Sequence, residues 1–171
     1  KSLDNRAGVV CLLALAEKLS GKKLPFNIVF AFTDAEELGH RGAKTTVFDI
    51  APNEAIVLDV SFADAPDGPS NECGKLSGGA MIGMSPILDK KISKKLVSIA
   101  EQNNMPYQTE VMGGRTGTNS DVISISKSGV KTSLVSIPLR NMHTDVEIID
   151  IEDIENVCDL LEKYVLGGNT L

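Results

Sequence analysis

The sequence contains no tryptophan, and aromatic residues make up only 4% of its 171 residues. Sugar-binding proteins commonly stack the ligand on aromatic rings, so side chains for such a platform are scarce here. Positive charge is also in the minority, because 17 lysines and arginines stand against 23 aspartates and glutamates, for a net charge of −6. This balance argues against nucleic acid and anionic membranes as partners.

Cysteine is scarce as well, with Cys11, Cys73 and Cys158 widely spaced along the chain. An odd number at this spacing excludes a disulfide framework and a Cys-x-x-Cys metal knuckle. Cys11 and Cys158 lie among apolar residues of predicted helices, which indicates core packing and a reducing, cytoplasmic location. No apolar run approaches the ~20 residues that span a bilayer, so we expect no membrane partner.

What the sequence does contain is an alternation of helical and strand patterns over a length that suits one domain, residues 1–171. Apolar residues recur at helical spacing in several segments, and short runs rich in β-branched residues lie between them. The alternation predicts a three-layer α/β sandwich, with a central mixed, largely parallel sheet flanked by helices. The predicted helices cover 5–19, 42–50, 89–104, 120–127 and a final helix capped by Asp150; the predicted strands cover 25–33, 55–60, 79–83, 106–112 and 132–137.

Polar residues follow three of the predicted strands, at the sheet edge where open α/β folds place their sites. Glu36 and Glu37 follow the first strand, Asp59 ends the second, His143 follows the last, and Asp4 opens the first helix. Carboxylates and imidazole are ligands for zinc, cobalt or manganese. If Asp4, Glu37, Asp59 and His143 converge on metal, Glu36 is left free to take a proton from water.

Each of these residues also has an ordinary structural explanation. Adjacent glutamates usually belong to a solvated loop, Asp4 would by default cap the first helix, and His143 would be a loop histidine. Asp59 is harder to explain in this way, because an acid inside an apolar run needs a partner. Residue types and spacing alone leave these alternatives open.

The chain resembles a known family in five ordered segments: KSLDNRAG, TDAEELGHRGA, AIVLDVSFADAPDGP, GRTGTNSDVISISKSGV and TSLVSIPLRNMHT. They are similar to the M42 metallo-aminopeptidases, which include glutamyl and tetrahedral aminopeptidases and have carried the older label of endoglucanase, or cellulase M. The resemblance implies a zinc-peptidase-like fold. It also implies hydrolysis of the N-terminal bond of peptide substrates by a water bridged by two divalent ions, with zinc or cobalt expected.

Carried over position by position, the family pattern implies a role for each candidate residue. Asp4 matches the aspartate that bridges two ions, and Glu37 and His143 match the ligands that complete one site. Asp59 matches a ligand of the second ion, and Glu36 matches the general base.

Three positions depart from the family pattern. Asn5 and Asn119 stand where many members have aspartate, and His40 stands where leucine is frequent. None of them matches a metal ligand, and we expect His40 to be an incidental loop residue. The loops 63–69 and 113–117 are candidates to line a substrate cleft, although either also fits an ordinary surface turn.

The resemblance covers only the C-terminal portion of the family's catalytic domain. The family's remaining metal-binding histidine and its dimerisation insert lie upstream and have no counterpart in this sequence. We therefore expect this chain to bind metal poorly and to be inactive alone, and the full-length protein to form a homo-oligomer, as family members form shells of twelve subunits. Two alternatives remain, namely a glycoside hydrolase, as the older label suggests, and a non-catalytic fragment with an incomplete metal site.

Overall fold

The computed structural model describes residues 1–66 and 73–167. Helices and strands alternate along most of the chain, as the sequence predicts. In chain order they are α1 (Leu3–Leu19), α2 (Arg41–Ile50), β1 (Glu54–Phe62), β2 (Ala80–Met84), α3 (Lys90–Gln102), β3 (Tyr107–Val111), α4 (Ser120–Ile123), β4 (Lys131–Leu139) and α5 (Ile151–Leu166).

The four strands form one mixed sheet in the order β1-β4-β2-β3. β1 pairs with β4 in parallel and β2 pairs with β3 in parallel, whereas β2 and β4 are antiparallel. The helices α1, α3 and α5 contact the sheet on one face, and α4 contacts β4 on the other. The structure thus confirms the predicted sheet flanked by helices.

The main core lies between the sheet and the three long helices. Side chains such as Ile92, Leu96 and Ile137 are fully buried there, and each contributes roughly 1.5–3 kcal/mol relative to exposure. Cys11 on α1 and Cys158 on α5 are buried, unpaired thiols in the same cluster. Core packing of these two cysteines, predicted from their apolar neighbours, is therefore what the structure shows.

The prediction of a central strand over 25–33 is wrong. Ile28 and Phe30 of this segment are half-buried and pack against the main core, while Val29 is 59% exposed. Within the described ranges, however, no strand pairs with it. The prediction was based on a run of β-branched and aromatic residues, but a strand also needs hydrogen bonds from a neighbour, which a local pattern cannot supply.

The start of α1 also differs from the prediction, because Asp4 does not cap the helix. Asp4 and Asn5 both have non-helical backbone angles. Asn5 acts as the cap, since its Oδ1 accepts from the backbone N–H of Gly8 at 2.9 Å. Its Nδ2 also donates to the Leu58 carbonyl at 2.8 Å, which ties the start of α1 to β1. The Asp4 carboxylate is consequently available for other contacts.

Smaller differences concern the remaining helices and loops. The helix predicted over 120–127 ends at Ile123, where the chain turns. The loop 63–69, a candidate to line a substrate cleft, lies partly outside the described residues. No helix in the described part of the chain is both long enough and apolar enough to cross a membrane.

Candidate metal centre

Three of the four predicted metal ligands meet in space. His143 Nε2 lies 3.1 Å from Asp4 Oδ2 and 3.2 Å from Glu37 Oε1. Across the described ranges, this is the single group of three or more acids, histidines or cysteines whose ligand atoms lie within 4.8 Å of one another. Asp4 and His143 are 139 positions apart in the sequence, so the fold itself brings these ligands together.

Tight turns hold Glu37 and His143 in place. Glu37 lies in a turn in which the backbone N–H groups of Gly39 and His40 both donate to the Glu36 carbonyl, just before α2 begins. His143 lies in the loop after β4 and has a left-handed backbone, with φ of 62°. Both ligands therefore project from compact loops, while Asp4 projects from the non-helical start of α1.

The donor atoms suit one divalent ion. Zinc binds imidazole nitrogen and carboxylate oxygen at about 2.0–2.2 Å, so tetrahedral ligand atoms lie about 3.3 Å apart. The separations of 3.1 and 3.2 Å are close to that spacing. The Asp4 side chain is 16% exposed, but those of Glu37 and His143 are 62% and 60% exposed. Three ligands with an open outer side leave room for a water or a substrate atom.

Asp59 lies near this group but is not part of it. It is 7% exposed on β1, and its Oδ1 accepts from the Val60 N–H at 2.9 Å. Burial raises the pKa of Asp59 to about 7, and the carboxylates of Glu36, Asp4 and Glu37 act in the same direction. In the part of the chain that the structure describes, Asp59 belongs to no group of clustered ligand atoms.

Glu36 stands beside the ligands rather than among them. Its Oε1 is buried and lies 2.9 Å from His40 Nε2, without the alignment of a hydrogen bond. Burial is the main cause of the raised pKa of Glu36. His40 opposes this shift, and the negative charges of Glu37 and Asp4 add to it. Burial also raises the pKa of Asp4, whose charge is repelled by Glu37 and attracted by His143.

Sequence reasoning missed two neighbours of the centre. His40, expected to be incidental, contacts the candidate base, and its spacing of four residues from Glu36 was the available signal. Glu147 lines the same open cavity as Asp4, Glu37 and His143, and it has no counterpart among the predicted residues. The glycine-rich run 113–117, a candidate cleft loop, does not contribute to the described lining of this cavity.

Comparison with known proteins identifies the class first. The fold matches aminopeptidase APDkam598 from the archaeon Desulfurococcus kamchatkensis with a TM-score of 0.89 and 34% identity, over 96% of this chain and 47% of that one. It is also similar to the TET1 peptidase of Pyrococcus horikoshii, with a TM-score of 0.78 and 30% identity, over 96% and 48% of the two chains. The fold is therefore that of an aminopeptidase domain.

The particular family follows from the sequence itself. The family model of the M42 glutamyl aminopeptidases matches residues 1–160, and the chain belongs to that family. The lysyl aminopeptidase of Pyrococcus furiosus is 32% identical over 163 residues, which are 95% of this chain and 46% of that relative. The chain thus spans about half the length of the relatives that it matches.

Proposed function

We propose that this chain carries the metal centre of an aminopeptidase that hydrolyses the N-terminal bond of peptides. The observation that supports this most directly is the convergence of Asp4, Glu37 and His143 from distant parts of the sequence. Neighbouring carboxylates repel each other, and the raised pKa of Asp4 reflects burial and the charge of Glu37. A divalent cation placed among them would turn that repulsion into attraction.

The centre would use zinc or cobalt, and each ligand has a defined part. Asp4, Glu37 and His143 would hold one ion, while Asp4 would reach the second ion together with Asp59. Such ions, when bound, lower the pKa of water and polarise the substrate carbonyl. In the metal-free protein His143 Nε2 can instead donate its proton to the Asp4 carboxylate, so metal and proton compete for this nitrogen.

Glu36 would serve as the general base. It takes a proton from the attacking water and returns it to the amine that leaves. Two features of Glu36 support this role, because it lies outside the ligand group and burial raises its pKa toward neutrality. Its neighbour Glu37 belongs to the group of ligand atoms. On this proposal Glu37 would hold the metal and Glu36 would transfer the proton.

The test compares Glu36→Gln with Glu37→Gln, two variants that make the same chemical change one residue apart. Calorimetric titration with Zn²⁺ or Co²⁺ should show unchanged affinity for Glu36→Gln and weakened affinity for Glu37→Gln. Hydrolysis of aminoacyl anilides should fall about 10²–10⁴-fold in Glu36→Gln, the range typical of a general base.

Activity is measured on the chain alone and on a fusion. The fusion joins the chain to the part of the Pyrococcus furiosus lysyl aminopeptidase that the chain does not match. Turnover in the fusion but not in the chain would mean that the site needs additional residues. Loss of metal binding in Glu36→Gln would mean that Glu36 is a ligand and that its assignment as the base is wrong. Absence of metal binding and of turnover in both forms would refute the proposal and favour a non-catalytic fragment.

The glycoside hydrolase alternative has less support. Its chemistry needs two carboxyl groups facing each other across a sugar, about 5–9.5 Å apart. The carboxylates of Asp4 and Glu37 instead approach one histidine, and the described cavity lining contains no phenylalanine, tyrosine or tryptophan on which a sugar could stack. Sugar release from a soluble cellulose derivative, measured beside anilide hydrolysis, separates the two activities.

Peptides are the proposed substrates, and a homo-oligomer is the proposed assembly. The Pyrococcus horikoshii TET1 peptidase, which this fold resembles, can assemble into a tetrahedron or a large octahedral shell. The three unpaired cysteines are consistent with the cytoplasmic location that we propose.

A further inference from the structure

Glu147 joins the two chain segments that carry Asp4 and His143. Its Oε2 accepts from the backbone N–H of Leu3 at 2.6 Å, and its Oε1 accepts from the backbone N–H of His143 at 3.2 Å. One carboxylate therefore binds the residue next to Asp4 and the backbone of His143 itself.

Both segments have a backbone that needs support. Ser2, just before Leu3, has φ of 57°, and His143 has φ of 62°. Residues other than glycine rarely adopt this left-handed region, because the side chain crowds the backbone. Glu147 accepts from the amide of Leu3, which directly follows Ser2, and from the amide of His143 itself. The two hydrogen bonds therefore favour the left-handed conformations of Ser2 and His143.

We infer that Glu147 is a positioning residue, which sets the distance between Asp4 and His143 before metal binds. The inference rests on the metal centre of the proposed function. Outer residues that orient ligands commonly strengthen metal binding about 10- to 100-fold. Glu147 acts here through the backbone, and its carboxylate is not among the clustered ligand atoms.

A nearby acid provides a matched control. Asp145 lines the same cavity, but its side chain is 86% exposed and its carboxylate pairs with Lys1 Nζ at 3.3 Å. Removing either acid takes one negative charge from the cavity, yet only Glu147 accepts from the amides of Leu3 and His143. Because the charge of Glu147 also acts on Asp4, Glu147→Gln is the second control, since it removes that charge and keeps one acceptor oxygen. A purely electrostatic role predicts equal effects of Glu147→Gln and Glu147→Ala, and a positioning role predicts the larger effect in Glu147→Ala.

The first measurement uses the metal-free protein in chelator. Amide hydrogen exchange of Leu3 and His143 is followed by NMR in the wild type, Glu147→Gln, Glu147→Ala and Asp145→Ala. Glutamine retains one acceptor oxygen, so we expect exchange to be fastest in Glu147→Ala, intermediate in Glu147→Gln and unchanged in Asp145→Ala. Circular dichroism identifies any variant that does not fold, and Glu147→Gln is the smaller perturbation.

The second measurement is Zn²⁺ affinity by calorimetry. We expect Glu147→Ala to bind about 10- to 100-fold more weakly than the wild type, Glu147→Gln to fall between them, and Asp145→Ala to remain close to the wild type. Equal losses in Glu147→Ala and Asp145→Ala would overturn the inference, as would unchanged exchange of the Leu3 and His143 amides. If the wild type binds no Zn²⁺ either alone or in the fusion, the proposed function fails, and the exchange data still decide whether Glu147 holds the two segments.

Discussion

Replacing Asp59 by asparagine removes a carboxylate that the metal-free fold buries at an energetic cost. Asp59 is 7% exposed, and its environment raises its pKa from the ordinary 3.8 to about 7. Burial is the main cause, and the charges of Glu36, Asp4 and Glu37 add to it. Asparagine has nearly the same shape and can still accept from the Val60 N–H, but it carries no charge.

The size and sign of the effect follow from the two pKa values. Below pH 4 Asp59 is protonated in both the folded and unfolded states, so its charge contributes nothing. Between pH 4 and 7 the folded state holds the proton more tightly, and stability therefore falls as the pH rises. Above pH 7 the full cost is present, and a shift of about 3 pKa units corresponds to about 4 kcal/mol.

Urea unfolding in chelator, at pH 4, 6 and 8, measures this effect. The difference in unfolding free energy between Asp59→Asn and the wild type should increase by up to about 4 kcal/mol from pH 4 to pH 8, in favour of the variant. Comparing the two proteins at each pH cancels the titration of the other acids. Asp49→Asn, at an exposed position on α2, controls for the loss of one surface charge.

A difference that stays constant from pH 4 to pH 8 would refute this reasoning. It would mean that Asp59 ionises as easily in the folded protein as in the unfolded chain. A difference that shrinks with rising pH would reverse the sign and would indicate that Asp59 has a stabilising cationic partner.

Two further predictions concern the base and the backbone. His40→Gln removes the imidazole that opposes the raised pKa of Glu36, so a carbon-13 titration of metal-free protein should show the Glu36 midpoint at higher pH; an unchanged or lower midpoint would contradict the contact. Gly79→Ala should destabilise the fold by about 2 kcal/mol or more in urea unfolding, because Gly79 has φ of 79° and an added Cβ would lie 2.0 Å from the Pro106 carbonyl oxygen. Gly113→Ala, whose Cβ would meet nothing within 4 Å, is the matched control, and equal losses in both variants would disprove the steric argument.

Local features of the fold were predictable because their causes are local. Asp150 was predicted to cap the last helix, and its side chain accepts from the Glu152 N–H at 3.0 Å. Ile92, Leu96 and Ile99 recur at helical spacing along α3; Ile92 and Leu96 are fully inaccessible to solvent, and Ile99 is half-buried. Helical periodicity and capping depend on residues a few positions apart, so the sequence displays them directly.

Contacts of the candidate centre were less predictable. Residue patterns suggested Asp4, Glu37, Asp59 and His143 as ligands, but only family resemblance assigned their separate roles. The structure groups three of them and leaves Asp59 outside the cluster. Glu147 could not be recognised from its neighbours in the sequence, because its contacts with Leu3 cross 144 positions.

The sequence by itself determined the alternation of elements, the apolar faces, the acidic character and the M42 family, since all of these are written in residue order and spacing. Tertiary structure alone decided that 25–33 pairs with no described strand, that Asn5 rather than Asp4 caps α1, and that Glu147 connects the segments that carry Asp4 and His143. These outcomes depend on hydrogen bonds between groups that only folding brings within about 3 Å, a distance that spacing along the chain does not encode.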